Sequence, residues 1–427
     1  MSELTAYADG LTLCTQVLQT AIDAVPEGGR FVLPAGRYLT GSLFLHAHMT
    51  FELAEGSVLL GSKELADYPH YYKPGEEYDP EARPSALINA YDADDLTICG
   101  TGTIDGQGEI WWEKFWGKPE ENRKGGMLGR YPANLRWAVD GDCLRPKNML
   151  LENCHGVTLR DFHSERSATW NIHLRFCSEI LVENITIARN TGPSTDGIDL
   201  DSCENAVVRG CHISCRDDAI CLKAGRDAEG LKLNRPCQNV EVYDCHLTAP
   251  SEGITLGSET SGDIRHVHIH DCTFDGASFA FRVKSARTRG GVLEDIHVEN
   301  LKIRNVREPF SFQLNWFPAF SYCKIPDDYK GPIPKRWLRM CQYVPPEIGL
   351  PKLKDVVIEN VTAVVDDGYT SERVPLIFAL DADPARPMEN ITFRHMDLSS
   401  RTFGAINGIV GMHLDDVTIS AGYAEES

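Results

Sequence analysis

A short hydrophobic phrase recurs along most of the chain, with apolar residues two positions apart and a polar or variable residue between them. Eight copies begin at Val157, Ile180, Ala206, Val240, Val267, Ile296, Val356 and Ile391. This period-two alternation is typical of half-buried strands. The copies follow one another at roughly 23 to 35 residues, with one interval of about twice that length, which is the range of solenoid repeats. The pattern therefore predicts an all-β solenoid, a parallel β-helix, rather than a helical solenoid or a sandwich.

A second apolar position accompanies each copy of the phrase, five residues after its first hydrophobic residue. The residues there are Phe162, Ile185, Cys211, Cys245, Cys272, Leu301, Val361 and Met396. Because the three cysteines share this column with large hydrophobic residues, we interpret them as core residues and not as redox or metal-binding groups. The 14 cysteines show no zinc-binding spacing, and we expect no cofactor.

The beginning of the chain follows a different pattern. Leu13 to Val25 place apolar residues at helical spacing, and Pro26 ends the run. Because the open end of a solenoid needs a cover, we expect an N-terminal capping helix. Residues 1–427 are then one β-helix domain, with the cap and first coils at about 1–95 and the main coils at 96–427. Segments at about 109–147 and 317–350 interrupt the repeat and are candidates for loops that wall a cleft.

Four segments share another frame, which places acidic residues above one another. They are Asp196 to Asp201, Asp218 to Lys223, Glu252 to Gly257 and Phe279 to Lys284. If these strands pair in parallel and in register, Asp196, Asp218 and Glu252 form a column at about 4.8 Å per strand. The predicted substrate-binding residues around this column are Glu252, Arg282, Lys284, His173, Arg175, Lys223 and Gln313. Acids flanked by cations and amides suit a sugar chain that carries carboxylates.

Paired carboxylates can cleave a glycosidic bond, because one donates a proton to the leaving oxygen while the other activates a water. Asp217 and Asp218 are adjacent in the sequence, so in an extended strand their side chains point to different sides. Asp218 shares the column with Asp196, where the two could hold a water, and Asp217 could reach the leaving oxygen. Clustered carboxylates also raise one another's pKa, which helps to keep one of them protonated.

The charge of the chain narrows the range of partners. A net charge of -20 argues against binding nucleic acid, because such binding requires neutralisation of the phosphates. It also repels an acidic polysaccharide, which could bind only at a local cationic patch. No apolar run approaches the ~20 residues that span a membrane, and the N-terminus carries no secretion signal, so we expect a cytoplasmic protein.

Three histidines form the remaining pattern that could bind a metal. His266, His268 and His270 alternate with apolar residues and share one outward face. No partner of the right type is apparent on an adjacent strand, so the sequence predicts no metal site.

Several local motifs resemble those of family 28 glycoside hydrolases, the polygalacturonases and their relatives. They are Ser194-Thr195-Asp196, Asp217-Asp218, Ser251-Glu252-Gly253 and Arg282-Val283-Lys284, with Gly102 to Gly108 and Pro34 to Tyr38 nearer the N-terminus. The resemblance covers nearly the whole chain and implies a right-handed parallel β-helix that hydrolyses pectic glycosides with inversion. It implies that Asp217 is the general acid, that Asp196 and Asp218 position and activate the water, and that Arg282 and Lys284 bind a substrate carboxylate.

Two positions depart from the family pattern. The usual Asn-Thr-Asp is Ser194-Thr195-Asp196, and the usual Gly-His-Gly is Ser251-Glu252-Gly253, so a carboxylate replaces the histidine. The replaced histidine makes the chain more similar to the branch of the family that acts on rhamnogalacturonan, while Arg282 and Lys284 still favour a uronate. Because the two inserted segments could close the groove into a pocket, we expect an exo-acting enzyme on galacturonic-acid-containing pectic oligosaccharides, an exo-polygalacturonase or a rhamnogalacturonan galacturonohydrolase.

Alternatives from the same family are an α-L-rhamnosidase and an endo-rhamnogalacturonan hydrolase. Two others are a calcium-dependent eliminase resembling pectate lyase and a glycan-binding β-helix without activity. The eliminase would use Asp196, Asp199, Asp201 and Asp218 as a calcium cage.

Overall fold

The computed structural model describes residues 2–73, 75–79, 82–121 and 124–422, which form a right-handed parallel β-helix. A typical coil contributes one strand to an 11-stranded sheet and one strand to each of two rows of a 22-stranded sheet. The strands of the 11-stranded sheet are Leu43–Leu45, Ile88–Tyr91, Met149–Glu152, Ile172–Arg175, Ile198–Asp201, Ile220–Lys223, Ile254–Leu256, Phe279–Lys284, Glu308–Gln313, Leu376–Asp381 and Thr402–Asn407. The predicted fold class is confirmed.

The 22-stranded sheet consists of two rows of strands, which merge near the end of the chain. The first row contains Arg30–Leu33, Thr50–Leu53, Leu96–Gly100, His155–Arg160, Ser178–Glu183, Glu204–Arg209, Cys237–Tyr243, Ile264–His270, Val292–Glu299, Lys352–Val364, Met388–Ser400 and Ile409–Ala421. The second row contains Asp9–Leu13, Gly36–Thr40, Ser57–Gly61, Thr103–Asp105, His163–Glu165, Thr186–Asn190, His212–Cys215, His246–Thr248, Thr273–Asp275 and Lys302–Arg304. Lys302–Arg304 pairs with the end of Lys352–Val364, where the two rows merge.

The recurring hydrophobic phrase lies in the first row, in exact register from coil to coil. Its first residues pair as Val157 with Ile180, then Ala206, Val240, Val267, Ile296, Val356 and Ile391. All of these side chains are buried, and so are the three cysteines predicted to lie in the core column, Cys211, Cys245 and Cys272. The double interval between Ile296 and Val356 contains the insertion at 317–350.

A sharp corner separates the two rows, and one residue there in most coils has a left-handed backbone. These residues are Asp161, Asn184, Gly210, Asp244, Asp271, Asn300, Asn360 and His395, with φ between 52° and 71°. Gly, Asn and Asp adopt this conformation at the lowest cost, which explains their recurrence between the apolar positions.

The capping helix spans Thr15–Asp23, slightly less than the predicted run. It buries Leu18 and Ile22 against the first coils. Its Gln19 side chain continues the hydrogen bonding of the exposed strand edge. The Gln19 Nε2 atom donates to the Phe44 carbonyl at 2.9 Å, and the Phe44 amide donates to Gln19 Oε1 at 2.8 Å. The helix therefore satisfies backbone groups that the end of the sheet would leave unpaired.

The other helices are short and lie mostly in the insertions. The α-helices are Ser2–Thr5, Glu109–Trp116, Met127–Arg130, Val139–Asp142, Asp227–Leu233, Pro318–Ser321, Lys335–Met340 and Pro346–Gly349, and the 3-10 helices are Leu65–Asp67, Pro119–Glu121 and Ala133–Ala138. None of these described helices has the length and apolar character required to cross a membrane.

The two predicted insertions pack against each other and form a small core of their own. The rings of Trp137 and Trp337 lie 5.1 Å apart, within a cluster that also buries Leu135 and Ala138. Asp142 joins the two segments, because its Oδ1 accepts hydrogen bonds from Arg336 Nε at 2.8 Å and Trp337 Nε1 at 3.0 Å. We call the combined segments 109–147 and 317–350 the wall. Residues 122 and 123 of the first segment lie outside the described residues.

The recurring hydrophobic phrase gives a test of the fold. Leu159 is fully buried in the first row, so we expect Leu159→Ala to lower the free energy of unfolding by about 2–5 kcal/mol. Leu338→Ala is the matched control, because Leu338 is 58% exposed in the wall and its truncation should change stability by only about 0.5 kcal/mol. Urea titration followed by circular dichroism measures both. Equal losses in the two variants would contradict the assigned register.

Candidate active site

The frame that aligned the four acidic segments is confirmed by the strand register. Ile198 pairs with Ile220, Ile220 with Ile254, and Ile254 with Phe281. These apolar residues point into the β-helix and fix the height of each coil. The predicted acids come just before or within these strands of the 11-stranded sheet, so the core packing sets their positions.

Four carboxyl groups, Asp196, Asp217, Asp218 and Glu252, lie together at this point, and we call them the acid cluster. Oxygens of Asp217, Asp218 and Glu252 lie within 4.8 Å of one another, and oxygens of Asp196 and Asp218 are equally close. Glu252 is hydrogen bonded through its backbone amide to the Asp217 carbonyl at 2.8 Å. The sequence placed Glu252 in a column with Asp218, and the structure brings it to Asp217 as well.

The predicted groove is deeply buried. Asp196, Asp218, Lys223, Arg282 and Lys284 are all less than 7% exposed. The sequence suggested an outward-facing surface, because it showed the alternation of strand positions but not the loops that cover them. Inside such a site charges are screened little, so neighbouring groups strongly alter each other's protonation.

Asp218 is held as a carboxylate. Its Oδ1 accepts a hydrogen bond from Thr255 Oγ1 at 2.6 Å, and its Oδ2 accepts one from Lys284 Nζ at 2.7 Å. Burial is the largest influence and raises the pKa of Asp218, but Lys284, Lys223 and Arg282 together outweigh it and lower this pKa to about 2. Asp218 is therefore ionised at neutral pH.

Asp217 has the opposite character, although it is the next residue in the chain. Burial, the charge of Glu252 and the charge of Asp218 raise the pKa of Asp217 to about 7. The cations Lys284 and Lys223 lower it only in part. Two adjacent carboxyls thus have well separated pKa values, and this difference allows one to act as the acid and the other as the base.

Asp196 is the third predicted catalytic residue, and it is buried beside Lys223. Burial, followed by the charges of Asp199 and Asp217, raises the pKa of Asp196 well above its usual value. Its Oδ2 lies 3.5 Å from Lys223 Nζ, and its Oδ1 accepts no hydrogen bond from any described residue. That oxygen has a free lone pair beside Asp218.

The predicted cations lie against the acids. Arg282 forms an ion pair with Glu252, and its Nε is buried without a hydrogen-bond acceptor among the described residues. Lys223 Nζ lies 3.3 Å from Asp199 and 3.6 Å from Glu259, in addition to its contact with Asp196. The cations therefore neutralise part of the acid cluster.

His173 and Arg175 lie on the next strand, paired in register with Asp199 and Asp201. Burial and the neighbouring Lys147 lower the pKa of His173 to about 3, so the imidazole is neutral. Arg175 contacts Asp201 at 3.6 Å and is half exposed. These two residues thus form one side of the site, next to Lys223 rather than against Asp217.

Gln313 lies at the other end of the site, paired in register with Lys284 and partly exposed. Trp316 follows it, and Lys284 Nζ lies 5.0 Å from the centre of its ring. An indole with a polar rim can receive the apolar face of a sugar.

Sequence reasoning missed Lys147 and Trp170 as members of the site, and it named Asp199 only as a calcium ligand of the eliminase alternative. The ammonium groups of Lys147 and Lys223 lie 4.4 Å and 4.6 Å from the centre of the Trp170 ring. Asp199 is fully buried between these cations, and burial raises its pKa to about 6 despite both lysines. The alignment of Asp199 with His173 in the repeat was the signal that could have identified Asp199 from the sequence. No such signal exists for Lys147, which lies at the end of an insertion without a repeat.

The calcium cage of the eliminase alternative does not fit the arrangement. Lys223 places its ammonium between Asp196 and Asp199, where a cation of the cage would lie. Asp201 points instead to His173 and Arg175. Asp218 is bonded to Lys284, so all four proposed ligands are already paired with protein cations, which a calcium ion would have to displace.

The wall is anchored on both sides of the 11-stranded sheet. Where the strands begin, Ser194 Oγ donates to Asp140 Oδ1 at 2.8 Å. Beyond the end of the strand Ile220–Lys223, the guanidinium of Arg226 lies 5.3 Å from the centre of the Phe320 ring. Arg136 stacks on the same ring at 5.1 Å. The wall therefore contacts the chain on both sides of the 11-stranded sheet, close in sequence to Asp196 and to the strand Ile220–Lys223.

Comparison with known proteins gives the family. The family model described as glycosyl hydrolases family 28 matches residues 133–326. The chain is 32% identical over 322 residues to a probable polygalacturonase from Vitis vinifera, covering 72% of this chain and 61% of that protein. It is 29% identical over 332 residues to an exo-poly-alpha-D-galacturonosidase from Dickeya chrysanthemi, covering 70% of this chain and 54% of that protein. The chain thus spans little more than half the length of these relatives.

Solved structures share the fold. A hyperthermoactive exopolygalacturonase from Thermotoga maritima matches with a TM-score of 0.74 and 22% identity, over 98% of this chain and 91% of that one. A polygalacturonase from Erwinia carotovora ssp. carotovora matches with a TM-score of 0.70 and 20% identity, over 96% and 94%. The matched family model and the sequence relatives, together with the acidic motifs in their register, show that the chain belongs to glycosyl hydrolase family 28.

Proposed function

We propose that this protein is an inverting, exo-acting glycoside hydrolase that removes galacturonic acid from pectic oligosaccharides. The observation that carries the proposal is the pair Asp217 and Asp218. One carboxyl has a pKa near 7 and the other a pKa near 2, so between these values the pair holds one proton at Asp217. Hydrolysis of a glycosidic bond needs one protonated and one ionised carboxyl.

The roles follow from this distribution of protons. Asp217 donates its proton to the glycosidic oxygen as the bond to the anomeric carbon breaks. A water attacks that carbon from the opposite face and transfers its proton to the carboxylate of Asp218. Asp196 orients the water through its free Oδ1. Exchange with solvent then returns the proton to Asp217 and removes it from Asp218.

The geometry of Asp217 and Asp218 does not by itself distinguish inversion from retention. The closest oxygens of Asp217 and Asp218 lie within 4.8 Å, nearer than the ~6.5–9.5 Å usual for inverting pairs, so the spacing alone does not support inversion. Both oxygens of Asp218 accept hydrogen bonds, from Thr255 and Lys284. These bonds lower the basicity and the nucleophilicity of Asp218 alike, so the proposal of inversion rests on the resemblance to family 28 and is tested by the configuration of the product.

A uronate is favoured by the cations around the acid cluster. The site holds several carboxylates, and a further carboxylate from the substrate needs donors that remain available. The Nε of Arg282 is buried without an acceptor among the described residues, and Lys284 Nζ donates a hydrogen bond to Asp218 Oδ2 at 2.7 Å. Binding a charged substrate group here would satisfy a donor that is otherwise costly to bury.

Exo action is supported by the wall. It contacts both sides of the 11-stranded sheet near the acid cluster, where it would obstruct a polymer that continued along the groove. A chain end is then the part of the substrate that fits. The Dickeya chrysanthemi relative carries the name exo-poly-alpha-D-galacturonosidase, which agrees with this interpretation.

The ion pair between Arg282 and Glu252 favours a second candidate. Glu252 neutralises a cation that the uronate hypothesis requires, and it occupies the position of the usual family histidine. A neutral sugar such as rhamnose would need no free cation in this subsite. Hydrolysis of α-L-rhamnosides is therefore the alternative activity to measure.

Product analysis tests the proposal. With oligogalacturonides and rhamnogalacturonan oligosaccharides as substrates, we expect release of single galacturonic acid units, and a chelator should not affect this release. Proton NMR should show that the released sugar has the anomeric configuration opposite to that of the cleaved linkage. Asp217→Asn should lower kcat by about 10²–10⁴-fold, because it removes the donated proton. Asp244→Asn is the matched control, since Asp244 is an exposed corner residue.

Each other product has a definite meaning. An unsaturated product that absorbs in the ultraviolet and disappears with a chelator would contradict hydrolysis. Release of rhamnose alone would replace the uronate hypothesis with the second candidate. Release of galacturonic acid from only the rhamnogalacturonan set would connect the Glu252 position to altered specificity.

The pH dependence tests the assignment of Asp217 independently. An acid must be protonated to act, so kcat/KM should fall as pH rises through about 7, the pKa of Asp217. Glu252→Gln removes the neighbouring charge that most raises this pKa, so the basic limb should move down by roughly one pH unit. Glu204→Gln, at an exposed position on the outer face, should leave it in place. A basic limb that does not move in Glu252→Gln would exclude Asp217 as the acid.

A further inference from the structure

A group of histidines and carboxylates lies on the outer face of the first row, in a different sheet from the strands beside the acid cluster. In register, Glu241 pairs with His268, and His268 pairs with His297. The adjacent outward column contains Tyr243, His270 and Glu299. The sequence showed the histidines of one strand, but it did not show that the neighbouring strands bring carboxylates to them.

Three of these side chains converge with the spacing of metal ligands. The Oε1 atom of Glu241 lies 3.4 Å from His270 Nε2 and 3.9 Å from His268 Nδ1. All three ligand atoms lie within 4.8 Å of one another. Tetrahedral zinc has bonds of about 2.0–2.1 Å to nitrogen and oxygen, which separates its ligand atoms by about 3.4 Å. Small side-chain movements would therefore complete the geometry.

The other nitrogen of each imidazole is already held by a carboxylate. His268 Nε2 lies 2.9 Å from Glu299 Oε1, and His270 Nδ1 lies 2.7 Å from Asp271 Oδ2. With a metal bound, each of these carboxylates would accept a ring proton, and the opposite ring nitrogen, which lies near Glu241, would bind the ion. Metal-binding histidines in proteins are oriented by a carboxylate at the second ring nitrogen in the same way.

We propose that Glu241, His268 and His270 bind a zinc ion. Two imidazole nitrogens and a carboxylate oxygen form a donor set that suits zinc. The rings are held in place by stacking, His268 on His297 at 5.1 Å between centroids and His270 on Tyr243 at 4.9 Å.

The site has an accessible side. Glu241 and His268 line an open surface concavity of about 640 Å³ on this outer face. Water can occupy the fourth position of the metal from that side, and the ion can enter without unfolding the coil. The site is separate from the proposed hydrolytic centre, so its loading does not depend on that function.

His266 provides the matched control within the same strand. Its backbone is left-handed, with φ of 55°, and its Nδ1 lies 2.6 Å from Asp295 Oδ2. The alternation in the sequence grouped it with His268 and His270, but this conformation directs it to a different partner. Asn tolerates the positive φ, so His266→Asn removes an imidazole with little backbone strain.

Zinc binding to the stripped full-length chain tests the proposal. The protein is treated with a chelator, dialysed and titrated with zinc chloride by calorimetry at neutral pH, and bound zinc is measured by mass spectrometry. We expect about one zinc ion per chain, lost in His268→Ala and His270→Ala and retained in His266→Asn. Glu299→Gln should weaken binding by roughly 10–100-fold, because it releases His268 from its orienting carboxylate.

Two further measurements keep the result unambiguous. Circular dichroism establishes that each variant is folded, and cobalt added to the stripped wild-type chain should give the intense visible absorption of tetrahedral coordination. Absence of zinc uptake by the wild type would overturn the proposal. Equal affinity in His268→Ala, His270→Ala and wild type would also overturn it, because the bound ion would then lie elsewhere.

Discussion

The structure depends on parallel coils stacked in register at about 4.8 Å per strand. Register is fixed by the interior, where Ile198, Ile220, Ile254 and Phe281 pair directly. The same register forces residues on the other side of each strand to stack as well. Carboxylates at equivalent positions then lie a few ångströms apart in a buried site, and the fold is compatible with them only if protons or cations compensate the charge.

Lysines compensate the charge of some carboxylates more than others, and this difference determines which carboxyl is ionised. Lys284 bonds Asp218 directly and keeps it ionised, whereas Asp217 faces Glu252 and retains a proton near neutral pH. The difference in pKa therefore arises from which neighbour each side chain meets. Asp217 and Asp218 both lie just before the strand Ile220–Lys223, and they acquire opposite roles because Asp218 is bonded to Lys284 whereas Asp217 lies beside Glu252.

The insertions and the outer face show how a regular coil acquires specific sites. The wall attaches on both sides of the 11-stranded sheet near Asp196, and the charged groups of the site there are buried. On the first row, regular pairing alone brings Glu241 beside His268 and Glu299 beside His270. In both places the residues come from coils that lie tens of positions apart in the sequence.

The sequence by itself determined the coil architecture, the cap and the register of the acidic segments. Each of these follows from local alternation of apolar residues, which has to match the period of a strand and repeat at the length of a coil. Lys147, the union of the two insertions and the burial of the site were decided only by the tertiary structure. Loops without a repeat have no register to read, and a protonation state depends on distances between side chains that no local pattern contains.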